Sequence, residues 1–340
     1  MRNPWRAIGL ALALTIATGV AAAPTRPLFV AFYVPWEPPA LASLKAHVQA
    51  MDVFAPMWAS VVSTKGDLRW ETDPEAHAVL AAAARRPKVM PVVSNAHDDV
   101  WDVAAAEAVI TDPVAGEALA KALVTQAQAD KLAGYVMDFE NLSPRGQAGY
   151  PAFVGRLRAR LKAAGLEVWV TSVMSSTDDF TKSADAVVLM AYDQCWATST
   201  PGPIASDGWL RDSLQAKLGS GDPRRYVVAL ASYGYDWPQG RTATVVAAPA
   251  AVQLAARMKA AVAPLPNPHF SYPAAGARHD VWFLDGAAFA RQRALVERRG
   301  ARGVALWRMG LEDPALWTAK AAAPQATAAA SPDCQPLPHP

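Results

Sequence analysis

Eight short runs of β-branched and aromatic residues punctuate the chain, at residues 28–34, 53–58, 88–94, 134–140, 167–173, 186–192, 226–232 and 303–307. They are nearly continuous in apolar character, the pattern of strands covered on both faces of a sheet. Between most of them the apolar spacing lengthens to that of helices. Tyr150, Phe153, Val154, Leu157 and Leu161 share one helical face, and Gly165 follows where a C-terminal cap belongs. Residues 104–129 carry a similar Ala-rich stripe, and residues 287–299 predict a helix before the last strand. Alternating strands and helices imply right-handed crossovers and a parallel sheet. Eight strands fit a closed barrel better than an open doubly wound sheet, and no Gly-x-Gly-x-x-Gly follows any of them to mark a dinucleotide site. The predicted fold is α/β, a (β/α)8 barrel of the TIM type. The longest interval between strands, about 236–302, predicts a small α+β insertion, with His269-Phe-Ser-Tyr272 and His279-Asp-Val-Trp-Phe-Leu-Asp285 as two extra strands above the barrel.

The two ends stand outside this pattern. Arg2 and Arg6 precede a short apolar run, and the small residues Ala21, Ala22 and Ala23 follow it. A charged start, a short apolar stretch and an Ala-x-Ala-like end make a secretory signal peptide over residues 1–23. The run is too short to span a bilayer comfortably, so no stable membrane insertion is expected after cleavage. The expected location is periplasmic or secreted. Residues 24–320 then form the barrel domain, and residues 321–340 a low-complexity tail expected to be disordered.

Composition narrows the function. Hydrophobic residues make up 52% of the chain and charged residues 18%, ample for a large core. There are 32 basic and 30 acidic residues, and removing Arg2 and Arg6 with the signal leaves 30 against 30. A neutral mature protein gives no electrostatic case for nucleic acid or an anionic membrane, and favours an uncharged partner. Cys195 and Cys334 are too few for a disulfide scaffold; they could pair in an oxidising compartment, although Cys334 lies in the tail. Six scattered histidines show no metal-ligand spacing, so neither a metal nor a cofactor is expected.

Chemistry in such barrels gathers at the C-terminal ends of the strands. Those ends carry Tyr33 and Trp36, Trp58, Asn95, Asp138 and Glu140, Tyr192 and Asp193, Tyr233 and Tyr235, and Trp307. Aromatic platforms mixed with carboxylates suit a polysaccharide or oligosaccharide cleft, because pyranose faces stack on aromatic rings while carboxylates take hydroxyl hydrogen bonds. Within Gly134-Tyr-Val-Met-Asp-Phe-Glu140, strand alternation puts Val136, Asp138 and Glu140 on one face and Met137 and Phe139 on the other. The alternative is a pair of solvated acids at a strand end, or an acid capping the next helix. Side by side, two carboxylates cannot easily flank one sugar ring, which argues against an acid paired with a carboxylate nucleophile. One acid, Glu140, with Asp138 orienting another nucleophile fits better. The acetamide of an N-acetylated sugar can be that nucleophile.

The segment 134–140 resembles the strand-four signature Asp-Gly-x-Asp-x-Asp-x-Glu of glycoside hydrolase family 18, the chitinase-like barrels. Met190-Ala-Tyr-Asp193 is similar to the family's strand-six Met-x-Tyr-Asp motif, and Trp307 to the tryptophan that ends strand eight. The resemblance covers about residues 27–318. It looks closest to the bacterial branch reading Asp-Phe-Glu-Asn, and to family 18 domains fused to polysaccharide deacetylases and glycosyltransferases. It implies retaining, substrate-assisted cleavage of a β-linked N-acetylglucosamine-containing polymer such as chitin, peptidoglycan or poly-N-acetylglucosamine. In that scheme Glu140, Asp138 and Tyr192 are catalytic, as proton donor, acetamide-orienting acid and acetamide-carbonyl donor. Asp193 and Trp307 bind the sugar, and Tyr33, Trp58, Asn95 and Tyr233 are further candidate substrate contacts. The chain departs from the family where its first two aspartates fall on Ala133 and Val136. With Val136 below it, Asp138 is expected to stay ionised. The rival reading is an inactive lectin-like barrel that binds carbohydrate. Retention of Glu140, Asp138 and Tyr192 together favours the enzyme.

Overall fold

The computed structural model describes residues 26–318, apart from Thr72, Asp99 and Ser220, together with residues 334–337. Residues 1–23, expected to be a signal peptide, lie outside the described residues. Among the described residues no helix is long and apolar enough to cross a membrane.

Eight parallel strands form the barrel. They are β1 (Leu28–Tyr33), β2 (Val53–Val61), β3 (Val92–Ser94), β4 (Gly134–Asp138), β5 (Glu167–Val173), β6 (Ala186–Met190), β7 (Tyr226–Ala231) and β8 (Gly303–Trp307). Each pairs with the next, and β1 pairs with both β2 and β8, which closes the sheet. Alternation along the strands divides the apolar residues into two sets. Val30, Phe32, Val53, Val136, Trp169 and Val188 fill the barrel interior. Phe29, Ala31, Tyr135, Met137, Val170 and Leu189 pack outward into the larger core beneath the helices. A one-residue slip of β4 would exchange Val136 for Tyr135 or Met137 inside the barrel, so packing on both faces fixes the register.

The helices are α1 (Ala40–His47), α2 (Pro74–Ala82), α3 (Val103–Thr111), α4 (Pro113–Asp130), α5 (Pro144–Lys162), α6 (Asp207–Leu218), α7 (Ala248–Met258) and α8 (Gly286–Arg298). Six have a side-chain N-cap, from Asp73, Asp102, Asp112, Ser143, Ser206 and Asp285. A short oxygen-bearing side chain there accepts from an otherwise orphaned backbone N–H of the first turn. The stripe expected over residues 104–129 is two helices. Pro113 disfavours helical backbone at Asp112, and Asp112 caps the second helix instead. Helix α5 buries Tyr150, Phe153, Val154, Leu157 and Leu161 as the spacing predicts, and Gly165 takes φ +77° just beyond it.

Two crossovers depart from a plain barrel. Between β5 and β6 no helix lies among the described residues, only a loop. Between β7 and β8 the insertion is a four-stranded antiparallel sheet rather than two extra strands. The chain leaving β7 runs on as Tyr233–Pro238 and pairs with Thr244–Ala247 on one side and Ala277–Phe283 on the other, with His269–Ala274 outermost. These short segments are bounded by turns that composition alone did not mark.

The tail also differs from expectation where it is described. Cys334 is disulfide-bonded to Cys195, and Thr200 and Gln335 and Thr198 and Leu337 are joined through the backbone. The bond closes a sequence separation of 139 residues. Cross-linking so long a loop removes much entropy from the unfolded chain, about 2–5 kcal/mol in stability. Cys334→Ser should therefore lower stability by about 2–5 kcal/mol. Urea unfolding of the oxidised protein and the variant, each with and without reductant, checks this; equal midpoints would refute it.

Candidate active site

The mouth of the barrel is a cleft of about 620 Å³ at the C-terminal ends of the strands. Glu140, Tyr192, Asp193 and Trp307 all line it. Glu140 sits two residues beyond β4, still on the face of Val136 and Asp138. Its opposite-facing neighbour Phe139 stacks on Tyr150 and Phe153 of α5, with ring centroids 5.6 and 6.2 Å apart. That stack anchors the strand end, so Glu140 is directed toward the mouth.

Asn95 fixes the acid a second time. Its amide oxygen accepts from the Glu140 backbone N–H at 2.9 Å, and its amide nitrogen donates to the Glu140 carbonyl at 3.1 Å. Asn95 is fully buried and does not line the cleft. It is a positioning residue rather than the substrate contact expected of it.

Asp138 lies deeper, beneath Glu140 and outside the lining of the cleft, and is buried, accepting a hydrogen bond from the Thr171 hydroxyl of β5 at 2.6 Å. Burial raises its pKa, opposed by the Thr171 bond. Burial acts against the expectation that Asp138 stays ionised for lack of an acidic neighbour below. Val136 removes a like charge but also removes water, and desolvation alone favours the neutral acid. Burial, then the charges of Asp138 and Asp193, push the pKa of Glu140 up to about 8.

The far wall is aromatic. Tyr192 and Trp307 lie parallel, 8° apart with centroids at 6.1 Å. Asp193, in left-handed backbone at φ +54°, accepts from the hydroxyls of Tyr233 at 2.5 Å and Tyr235 at 3.2 Å. These bonds oppose the upward shift that burial imposes on Asp193. Burial also drives Tyr192 and Tyr233 well above the usual tyrosine range, so both keep their protons. Tyr233, buried and outside the cleft lining, orients Asp193 and does not line the cleft as a sugar contact would.

Tyr33 and Trp58 are likewise elsewhere. Tyr33 is 2% exposed, packs on Phe54 and hydrogen-bonds Asp73 at the start of α2. Trp58 is 1% exposed and stacks on His77 of the same helix. Both occupy outward positions of their strands and fill the layer under the helices, so neither lines the cleft. Trp36 is 61% exposed on the loop after β1 and is not part of the lining.

Several lining residues carried no expectation. Trp196 and Gln194 follow Asp193 directly in sequence, and an aromatic so close to the strand-six end was a readable signal. Trp209 sits in the first turn of α6, where its spacing reads as ordinary core. Thr171 could be paired with Asp138 only once the register of β4 and β5, which sets Met137 opposite Val170, was known. Among the described residues no group of histidines, cysteines and carboxylates could hold a metal ion.

At the mouth of a closed parallel (β/α)8 barrel the chain thus carries a carboxylic acid beside an aromatic-walled cleft. The solved chitinase of Chromobacterium violaceum superposes with a TM-score of 0.78 at 25% identity, over 86% of this chain and 97% of that one. YvbX of Bacillus subtilis, described as an uncharacterized glycosylase, is 26% identical over 259 residues, covering 70% of this chain and 75% of YvbX. The cortical fragment-lytic enzyme of Bacillus cereus is 24% identical over 269 residues, covering 72% of this chain but 62% of that enzyme. No protein-family model matches the chain. By fold and by these relatives the chain is a glycosidase similar to the chitinase-like barrels of glycoside hydrolase family 18.

Two outcomes follow from the geometry. Asn95→Ala leaves a backbone N–H and C=O of Glu140 without partners and should cost about 2 kcal/mol of stability; chemical denaturation measures it, and a cost near zero would refute the positioning role. A carboxyl whose folded pKa is raised from 4.5 to about 8 carries no penalty at low pH, and its penalty grows as pH rises toward 8. Glu140→Gln should therefore raise the melting temperature at pH 8.5 by several degrees and leave it nearly unchanged at pH 4. Equal melting temperatures at both values would contradict the burial argument.

Proposed function

We propose that this glycosidase cleaves β-linked N-acetylglucosamine-containing polysaccharide with retention, using the substrate's own acetamide as nucleophile. The observation that carries the reading is the placement of Glu140, half-buried on the wall of a cleft backed by Tyr192 and Trp307, where burial and neighbouring charge push its pKa up to about 8. A protonated carboxyl at neutral pH is what donation to a glycosidic oxygen requires. The other carboxylate on the cleft wall, Asp193, already accepts from two tyrosine hydroxyls, which weakens it as a nucleophile.

The steps follow from these positions. Glu140 protonates the leaving oxygen as the acetamide oxygen attacks the anomeric carbon. Asp138, beside it, accepts the acetamide N–H, and its charge becomes favourable as positive charge develops on the ring. The Tyr192 hydroxyl, held neutral, donates to the acetamide oxygen, while Trp307 supports the apolar face of the sugar. Glu140 then takes a proton from the incoming water, which opens the intermediate and restores the acid. Asp138 and Glu140 are neighbouring buried acids, so they titrate as a pair and share one proton through the cycle.

Export fits the same picture. A disulfide between Cys195 and Cys334 is the kind of bond that persists in an oxidising compartment. This supports a periplasmic or secreted enzyme and a cleaved leader over residues 1–23.

Glu140→Gln should abolish hydrolysis of a chromogenic N-acetylglucosamine oligomer, by about 10³-fold or more, with binding by calorimetry largely intact. Binding without cleavage by the wild type would favour the lectin-like reading instead. The basic limb of the wild-type rate profile should fall as pH rises through about 8, as Glu140 loses its proton; a limb unchanged in a residually active Glu140→Asp variant would assign it to another group. Asp138→Ala should lower turnover more than affinity, and an unchanged rate would remove its orienting role.

A further inference from the structure

A second cavity of about 460 Å³ adjoins the first. The two share Glu140, Val173, Ser175 and Met190 as a common wall. Tyr192, Asp193 and Trp307 belong only to the first, while Gln147, Tyr150 and Asp178 belong only to the second. Space exists there because the crossover from β5 to β6 carries a loop where other crossovers carry a helix. A bond protonated by Glu140 has one sugar on each side, and the residues divide in the same way.

Two features show that the cavity is equipped for a polar guest. Tyr150 lines it and is 4% exposed; its hydroxyl oxygen faces the Phe139 backbone N–H, but its hydrogen has no acceptor among the described residues. A ligand oxygen would supply that acceptor. The remaining lining is rich in hydroxyls, from Ser172, Ser175, Ser176 and Thr177. The charge balance then narrows the guest. Among the described residues neither cavity is lined by a lysine or arginine, whereas Glu140, Asp193 and Asp178 are present. Lys217 of α6 directs its ammonium at the Ser176 carbonyl and balances Asp178 only in part. A carboxylate on the substrate would meet like charge with no counter-ion.

We propose that the second cavity is the subsite for the sugar on the leaving side of Glu140, and that it takes an uncharged N-acetylhexosamine in preference to a carboxylate-bearing one such as N-acetylmuramic acid. The Tyr150 hydroxyl and Asp178 are its specificity determinants. This rests on the cleavage chemistry proposed above.

The test compares three substrates: an N-acetylglucosamine disaccharide with a 4-nitrophenyl leaving group, an N-acetylglucosamine hexamer, and peptide-free strands alternating N-acetylglucosamine and N-acetylmuramic acid. Only the last two place a sugar in the second cavity. Wild type should prefer the hexamer to the muramyl strand by about tenfold or more in kcat/KM. Tyr150→Phe, which keeps the ring stacked on Phe139, should lower kcat/KM for the hexamer about fivefold more than for the aryl glycoside, mainly through KM. Asp178→Asn should narrow the preference against the muramyl strand. Equal losses on aryl glycoside and hexamer, no loss on either, or a muramyl strand cut as fast as the hexamer would each overturn the proposal. Cleavage of the aryl glycoside by wild type keeps the proposed chemistry standing whichever way the subsite falls. Failure to cleave any of the three would remove both.

Discussion

Asn95 holds the backbone of Glu140 by both its N–H and its C=O, and the rest of the cleft is arranged around that grip. Glu140 is past the end of its strand, where ladder hydrogen bonds no longer fix direction. Without the amide of Asn95, two backbone groups would be buried unpaired and the chain would turn to satisfy them elsewhere. Phe139 contributes from the opposite face by stacking under α5. Backbone grip and ring stack together set the side chain toward the mouth, into water-poor surroundings that keep it protonated.

The carboxylates of this site differ by environment rather than by type. Asp138 is buried and bonded to one hydroxyl, Glu140 is half-buried between two like charges, and Asp193 is clamped by two tyrosines. Desolvation raises all three, but hydrogen bonds offset it for Asp138 and Asp193 and not for Glu140. In the proposed mechanism that asymmetry separates a proton donor from groups that orient and hold. The loop carrying Asp193 is in turn tied through Cys195 to Cys334, so residue 334 helps to set the aromatic wall of the cleft.

Much of the fold was legible because it rests on local periodicity. Apolar runs marked all eight barrel strands, the stripe of α5 matched its buried residues, and the two acids of β4 told its inward face from its outward one. The same reasoning misplaced Tyr33 and Trp58. Their strands are apolar on both faces, so parity gave no sign of which residues point inward, and β2 carries a register irregularity beside Trp58. Asn95 and Tyr233 were found as strand-end residues, but their service to Glu140 and Asp193 depends on partners 45 and 40 residues away.

The sequence by itself therefore determined the barrel, the order of its strands and the pairing of Asp138 with Glu140 on one face, since each follows from spacings of two or about four residues. Tertiary structure alone decided that burial raises the pKa of Asp138, that Cys334 reaches Cys195, and that a second cavity opens beside the acid. These are properties of a closed volume: how much water remains around a charge, and which distant residues share a wall. No local pattern encodes them, because they exist only once the eighth strand has met the first.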